Sequence, residues 1–392
     1  MSVLSCYLKY VFKFKNNKNK KKTDTIIFIS NELSRTGAPT VLLALLKWLK
    51  ENTKLSFIVL ASKGGEIESD FKAVAPTFVL EDRSIFPFLQ ELNTRNISLI
   101  YSNTFVNGLL QKIFGVLNVP QICHVHEMAY FINLLGSGNF KYIDKNTQQY
   151  IAVSNAVKNG LVEDFNVFED RITMINAFID IPKVSISEDE VRKLKSELNI
   201  SPETFVLGSV GSTDWNKGVD IAITLAETLS KKLDNFKYIW LGASNNIINN
   251  QCMVDVKKAG LTEIFHFIPP SPDKYKYYEL FDIFITPSRE DSFPLVNLEA
   301  GFMKKPILCF EKSGGSQEFV SDDCGCASPY LDIEHMVGKI IELYNSPQER
   351  KKLGENAHKK IINELNTQIQ AKKIYNIIKK YINHEDGRER LS

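Results

Sequence analysis

The sequence predicts an α/β protein made of two doubly wound domains, and three observations carry that expectation. From residue 25 onward, short continuously apolar runs alternate with amphipathic stretches of helical length. Runs of that kind, separated by helices, indicate parallel strands covered on both faces. The alternation comes as two series parted by a polar stretch, and 392 residues suit two domains.

The first series places strands at 25–30, 55–61, 97–102, 120–125, 150–153 and 172–175, with helices over 41–51 and 105–117 among the intervening stretches. The polar interruption, 181–202, is bracketed by Pro182 and Pro202 and reads as a linker followed by a short helix over 191–198. The second series places strands at 205–210, 238–241, 264–268, 283–286 and 306–310. A helix over 219–229 follows its first strand, and 367–382 is a long, regular helix. The expected division is a basic tail 1–22, a first domain 23–190, a second domain 191–366, and a C-terminal helix and tail 367–392. Ligands in such folds bind beyond the carboxyl ends of the strands, and a two-domain arrangement puts that site in the cleft.

The net charge of +2 hides an uneven distribution. Residues 1–22 hold seven lysines and no acid, leaving 41 basic and 46 acidic side chains for the rest. A body with net charge −5 argues against nucleic acid as a partner, because duplex binding needs a basic surface on the domain itself. In the tail, Leu4, Leu8, Val11 and Phe12 would share a helical face ahead of the cluster Lys18–Lys22. That pattern fits a segment lying on an anionic membrane surface, or else an unstructured tail. No apolar run approaches the roughly 20 residues that span a bilayer, and the start lacks the order of a secretory signal. Six scattered cysteines, several in apolar runs, read as buried free thiols in a reducing compartment. The expected location is cytoplasmic, with the tail allowing peripheral attachment to the inner face of the membrane.

The richest loop is Pro287-Ser288-Arg289-Glu290-Asp291-Ser292-Phe293-Pro294-Leu295-Val296-Asn297-Leu298-Glu299-Ala300, between a strand and a helix. Asp291 precedes the helix and Glu299 lies well inside it, too far apart at about 1.5 Å per residue to act as one carboxylate pair. They can instead grip two parts of an extended ligand whose phosphates sit on free N–H groups at the helix start. A solvated loop acid and an ordinary helix glutamate would give the same spacing. Upstream, the stretch from Gly208 through Gly211 to Lys217-Gly218 also joins a strand to a helix, with Lys217 placed to neutralise a phosphate. Neither a dinucleotide fingerprint nor a phosphate-loop lysine motif occurs, which disfavours dehydrogenase and nucleotide-hydrolase readings. In the first half, Arg35-Thr36-Gly37-Ala38-Pro39 leads into the first helix, and Cys123-His124-Val125-His126-Glu127 ends a strand. His-x-His puts both rings on one face, yet no third ligand cluster supports a metal. Ser313-Gly314-Gly315-Ser316-Gln317-Glu318 follows the last strand and reads as a tight turn.

In this order the motifs resemble the retaining family 4 (group 1) glycosyltransferases, over roughly residues 24–380. The likeness rests on Thr36-Gly37-Ala38-Pro39, His126-Glu127, Lys217-Gly218, the segment 288–300 and Gly314-Gly315-x-x-Glu318. It implies the GT-B architecture, two Rossmann-like domains facing across a cleft, with the C-terminal helix returning to the N-terminal domain. The first domain would bind the acceptor and the second a nucleotide sugar, with UDP the commonest carrier. By that resemblance Asp291 contacts the donor sugar, Glu299 the ribose, Lys217 the phosphate, and the N–H groups of Phe293, Leu295 and Val296 the diphosphate. Gly211 and backbone near Ile268 complete the donor site. Arg35, Gly37, His126 and Glu127 belong to the acceptor side, and His126 lies near the sugar being transferred. Catalytic roles thus fall to His126, Lys217, Asp291 and Glu299.

Two departures from the family pattern stand out. Asp291 replaces a glutamate, with Glu290 beside it as a substitute, and Ser212 stands near where an arginine is usual, so that Arg289 would assist Lys217. The implied reaction moves a sugar with retention onto a hydroxyl of a glycan or lipid-linked acceptor, without a cofactor or metal. An epimerase on the same scaffold, or a non-catalytic nucleotide-sugar-binding partner, is the alternative.

Overall fold

The structure, a computed structural model, describes residues 24–81, 86–134, 137–243, 245–321 and 323–382. The basic segment 1–22 with its expected membrane-surface helix, and Cys6, lie outside the described residues. The chain forms two compact units: one from the described residues up to Phe178 together with the helix Thr367–Ile382, the other from Ile179–Asn366.

The first unit contains β1 (Asp24–Ser30), β2 (Ser56–Ala61), β3 (Thr77–Val79), β4 (Asn96–Ser102), β5 (Gln121–Val125), β6 (Gln149–Ala152) and β7 (Ile172–Met174). All run parallel, in the order β3-β2-β1-β4-β5-β6-β7. The second contains β8 (Phe205–Val210), β9 (Phe236–Leu241), β10 (Phe265–Ile268), β11 (Ile283–Thr286), β12 (Ile307–Phe310) and β13 (Gly325–Ser328). Its parallel order is β10-β9-β8-β11-β12-β13, the doubly wound arrangement. In each sheet the winding direction reverses beside the first strand, between β1 and β4 and between β8 and β11. The chain leaving those strands diverges there, and a crevice opens at their carboxyl ends.

Strand and core follow from composition. Ile26, Ile27, Phe28 and Ile29 in β1, and Ile58, Val59 and Leu60 in β2, are buried, as sandwiching between helices requires. In the second unit Leu207, Tyr238, Trp240, Ile283 and Ile285 join Leu225, Leu229, Val337 and Ile340 from flanking helices in one cluster. Cys123, Cys252, Cys309, Cys324 and Cys326 are free thiols, the first four buried.

Several expected boundaries shift for local reasons. The stretch 105–117 divides into a 3-10 turn Phe105–Asn107, an α-helix Gly108–Phe114 and a second 3-10 turn Gly115–Leu117. Asn139 donates to the carbonyls of Phe105 and Val106, so they are not left to a continuous helix. The linker helix begins earlier, at Glu188, because Ser187 and Glu190 form a reciprocal capping box. Residues 179–190 join the second unit, ahead of the boundary expected after residue 190. Ile179 donates to the Leu365 carbonyl at 3.3 Å, and Glu190 pairs with Lys276 at 2.9 Å.

The helix Thr367–Ile382 packs on the helix Gly37–Asn52. Trp48 Nε1 donates to Gln368 Oε1 at 2.8 Å, and Trp48 meets the Tyr375 ring at 5.9 Å. Ile374 and Ile378 are fully buried beneath it. Ile374→Ala should therefore destabilise the first unit by about 2–5 kcal/mol, read as a lower midpoint in urea unfolding. Ile362→Ala, at a half-exposed position, should leave the midpoint nearly unchanged.

Candidate active site

The strongest sequence features of the second unit meet at its switch point. The loop after β8 runs from Gly211 through a 3-10 turn, Trp215–Lys217, to Gly218, which opens the helix Val219–Ser230. Gly218 has φ +72°, and a Cβ there would run into the Pro287 carbonyl. Glycine thus lets the β8 loop close against the β11 loop. The Arg289 N–H donates to the Asn216 carbonyl at 2.8 Å, tying the loops again. Across this junction Lys217 Nζ donates to Asp291 Oδ2 at 2.5 Å, with the Asp291 side chain 10% exposed. A small pocket at the ends of β8 and β11 is lined by Ser209, Lys217, Trp240, Thr286, Asp291 and Val296.

Asp291 is fixed from a third direction. Its N–H donates to the Ser313 carbonyl at 2.7 Å, and its carbonyl accepts from Gly315 at 3.0 Å, a parallel bridge outside the sheet. Gly314 has φ +115°, and a Cβ there would collide with the Asp291 carbonyl. The glycine pair expected to make a tight turn therefore also seats Asp291. Thr286 Oγ1 donates to Asn297 Oδ1 at 2.5 Å, and Asn297 Nδ2 donates to Ser316 Oγ at 3.1 Å, so β11, the helix Leu295–Phe302 and the helix Gly315–Val320 share one buried link.

The helix Leu295–Phe302 starts after Pro294 with no side-chain cap, which leaves its first N–H groups, including those of Leu295 and Val296, to serve an anion. Phe293 just before it turns its ring inward. Glu299 lies on the same helix, 7% exposed. Lys274 Nζ donates to its Oε1 at 2.6 Å, and Tyr278 OH to its Oε2 at 2.9 Å. Burial beside that carboxylate pushes the Tyr278 hydroxyl well above its usual range, so it stays a donor. Lys274 and Tyr278 went unnoticed in the sequence. Their four-residue spacing, which puts two donors on one helix face, is the signal that was there.

Four expected donor residues have other partners or surroundings. Arg289 is not free to assist Lys217: it holds Asp220 with two hydrogen bonds of 2.9 and 2.7 Å and donates to the Trp215 carbonyl at 2.9 Å. It also lies over the Trp215 ring, 5.2 Å from the centroid. Glu290 does not replace Asp291 as the partner of Lys217. Its Oε2 is buried without a hydrogen bond to the described residues, and burial raises its pKa. The Ile268 carbonyl already accepts from Gly242 at 2.8 Å and Ala243 at 2.9 Å, while Gly211 O accepts from Trp240 Nε1 at 2.9 Å.

The first unit gathers a different chemistry at its own switch point. Glu127 accepts from Thr104 Oγ1, from the Phe105 N–H at 3.4 Å and from the His126 N–H at 3.0 Å, joining the loops after β4 and β5. Burial lifts its pKa to about 7, against the opposing effect of those donors. The rings of His126 and His124 lie with centroids 4.2 Å apart and tilted by 42°, and Tyr101 OH is 2.8 Å from His124 Nδ1. Burial pushes the His126 pKa down to about 3 and that of His124 well below the ordinary value. Among the described residues no three His, Cys, Asp or Glu side chains gather as a metal site. Arg35 lies on the loop after β1, and Gly37 opens the helix that follows it. The Arg35 N–H is held by Glu66 at 3.1 Å, and a Cβ on Gly37 would meet open space.

Comparison with known proteins bears on the second unit most directly. Residues 190–360 match the family model described as glycosyl transferases, group 1. The match spans most of the second unit and none of the first. The chain is 22% identical over 246 residues to the capsular polysaccharide biosynthesis glycosyltransferase CapM of Staphylococcus aureus, covering 61% of this chain and 63% of CapM. It is 24% identical over 289 residues to a D-inositol 3-phosphate glycosyltransferase of Paenarthrobacter aurescens, covering 68% of each. In three dimensions it is similar to Anabaena HepE, solved with UDP and glucose, at a TM-score of 0.78 and 18% identity over 90% of this chain and 98% of HepE. The fold is thus α/β of the GT-B type. No helix among the described residues is long and apolar enough to cross a membrane.

The neutral histidines set a pH dependence. An unfolded chain binds protons at His124 and His126 below about pH 6.5, whereas the folded one holds them neutral. Stability is then lost as pH falls from that value toward the folded pKa of about 3. Denaturant unfolding of His126→Gln between pH 7 and 4 should show a shallower loss than wild type.

Proposed function

We propose that the protein transfers a sugar from a nucleoside-diphosphate donor to an acceptor hydroxyl, with retention at the anomeric carbon. The observation that carries this reading is the seating of Lys217 and Asp291 beside an uncapped helix start, at the switch point of the unit that matches the group 1 glycosyl transferase model. The diphosphate lies on the N–H groups of Phe293, Leu295 and Val296, and Lys217 supplies a compact positive charge. Asp291 keeps one ammonium hydrogen bond and offers its remaining lone pairs to sugar hydroxyls. An ammonium has three donors, so Lys217 can hold Asp291 and a phosphate oxygen together. Glu299 takes the ribose hydroxyls, presented by Lys274 and Tyr278 in a fixed orientation.

Chemistry follows from where charge develops. As the bond to the sugar breaks, negative charge builds on the departing diphosphate while the sugar becomes oxocarbenium-like. Lys217 and the helix N-terminus meet that charge with donors already in place, so little reorganisation is needed. The acceptor hydroxyl attacks from the face the diphosphate leaves, and the leaving phosphate oxygen receives its proton, which accounts for retention without a protein nucleophile. Charge neutralisation of this kind calls for no cofactor or metal. UDP is the donor carrier we favour, consistent with the UDP bound to HepE. The acceptor is a polysaccharide or glycolipid, consistent with the capsular role named for CapM. The basic segment 1–22 would bring the enzyme to the inner face of an anionic membrane.

Steady-state transfer with the donor that binds best in a nucleotide-sugar panel tests the assignment. Lys217→Ala should lower kcat about 10²–10³-fold, as loss of a donor to developing charge does elsewhere. Glu299→Gln should mainly raise KM for the donor. Wild-type transfer rates in both variants would show that these residues are not the site.

A further inference from the structure

Asn103, the residue directly after β4, is 1% exposed and joins three loops. Its Nδ2 donates to the Ala38 carbonyl, in the first turn of the helix Gly37–Asn52, at 2.8 Å. Its Oδ1 lies 3.3 Å from His126 Nε2. The first contact settles the orientation of the amide. A backbone carbonyl can only accept, so the nitrogen end must face Ala38. The oxygen end then faces His126, and an amide oxygen also only accepts. The proton of that contact must therefore sit on His126 Nε2.

A neutral imidazole carries one N–H, so the other ring nitrogen, Nδ1, keeps its lone pair. No described residue hydrogen-bonds to it. The surroundings keep the ring neutral: the tilted His124 ring packs against it at 4.2 Å, burial opposes a cation, and Glu127 spends its carboxylate on the His126 main-chain N–H instead of the ring. We infer that Asn103 is a positioning residue that locks His126 as the Nε2–H tautomer, so that His126 meets a ligand as a hydrogen-bond acceptor through Nδ1. A hydroxyl donor suits that nitrogen, whereas a phosphate oxygen, itself an acceptor, is repelled by its lone pair. Naming the hydroxyl as one of a sugar rests on the proposed function. The tautomer does not.

The test needs no substrate. In full-length protein carrying ¹⁵N-labelled histidine, long-range ¹H–¹⁵N correlation spectra report which ring nitrogen is protonated, and the signals missing from His126→Gln assign His126. Wild type is expected to show a protonated Nε2 and a bare Nδ1. Asn103→Leu, which removes both hydrogen bonds, should move His126 to a mixture of tautomers. Asn103→Asp keeps an acceptor for Nε2 and should retain its proton although the donor to Ala38 is gone. A proton on Nδ1 in wild type, or an unchanged His126 pattern in Asn103→Leu, overturns the inference whatever the transfer assay shows.

Discussion

Asp291 is held at both ends, and the rest of the candidate donor site depends on that. Its main chain is bridged to Ser313 and Gly315, and its carboxylate is paired with Lys217. The bridge exists because Gly314 adopts a backbone conformation closed to other side chains and leaves room for a carbonyl where a Cβ would stand. The ion pair exists because Gly218 lets the β8 loop close on the β11 loop in the same way. Backbone contacts thus decide where two opposite charges sit, and the charges then have a defined place to act from. A loop carrying the same acid without these glycines would leave it mobile and water-exposed, where a carboxylate positions little.

The two units apply one topological device to different chemistry. Each reverses its winding beside its first strand and collects polar residues where the chains part. In the second unit the collected groups are charged and paired: Lys217 with Asp291, and Lys274 with Glu299. In the first they form a buried, hydrogen-bonded cluster of Asn103, Thr104, His124, His126 and Glu127 around neutral rings. Paired charges with spare donors and acceptors suit a diphosphate and its sugar. A hydrogen-bonded cluster around neutral rings suits recognition of hydroxyls, where a fixed donor or acceptor matters more than net charge.

Much of this was legible in the sequence, because buried parallel strands are apolar on both faces. The ends of β1, β4, β8, β11 and β12 all fell where apolar runs stopped. Two edge strands escaped: β3 has three residues, and β13 is the small, half-buried Gly325-Cys326-Ala327-Ser328, too weakly apolar to register. Among candidate site residues, Lys217 and Asp291 stand out in the sequence because loops between strand and helix draw attention to charge, and Glu299 because it follows Asp291 into the next helix. Arg289 was misread for the same reason. Sequence shows that an arginine is present, but not that Asp220, nearly seventy positions away, will claim it. Asn103 was invisible, since its role lies in which of two neighbours accepts a hydrogen bond, and only folded geometry reveals that.

The most direct measurement of the central claim is calorimetric binding of UDP, GDP, ADP and CDP to full-length wild type and to Gly314→Ala. One of these nucleoside diphosphates should bind wild type. The added methyl, by forcing Asp291 and the neighbouring helix start out of place, should weaken that binding at least tenfold, about 1.4 kcal/mol. Equal affinity in the two proteins, or no binding of any nucleoside diphosphate to wild type, would contradict the account.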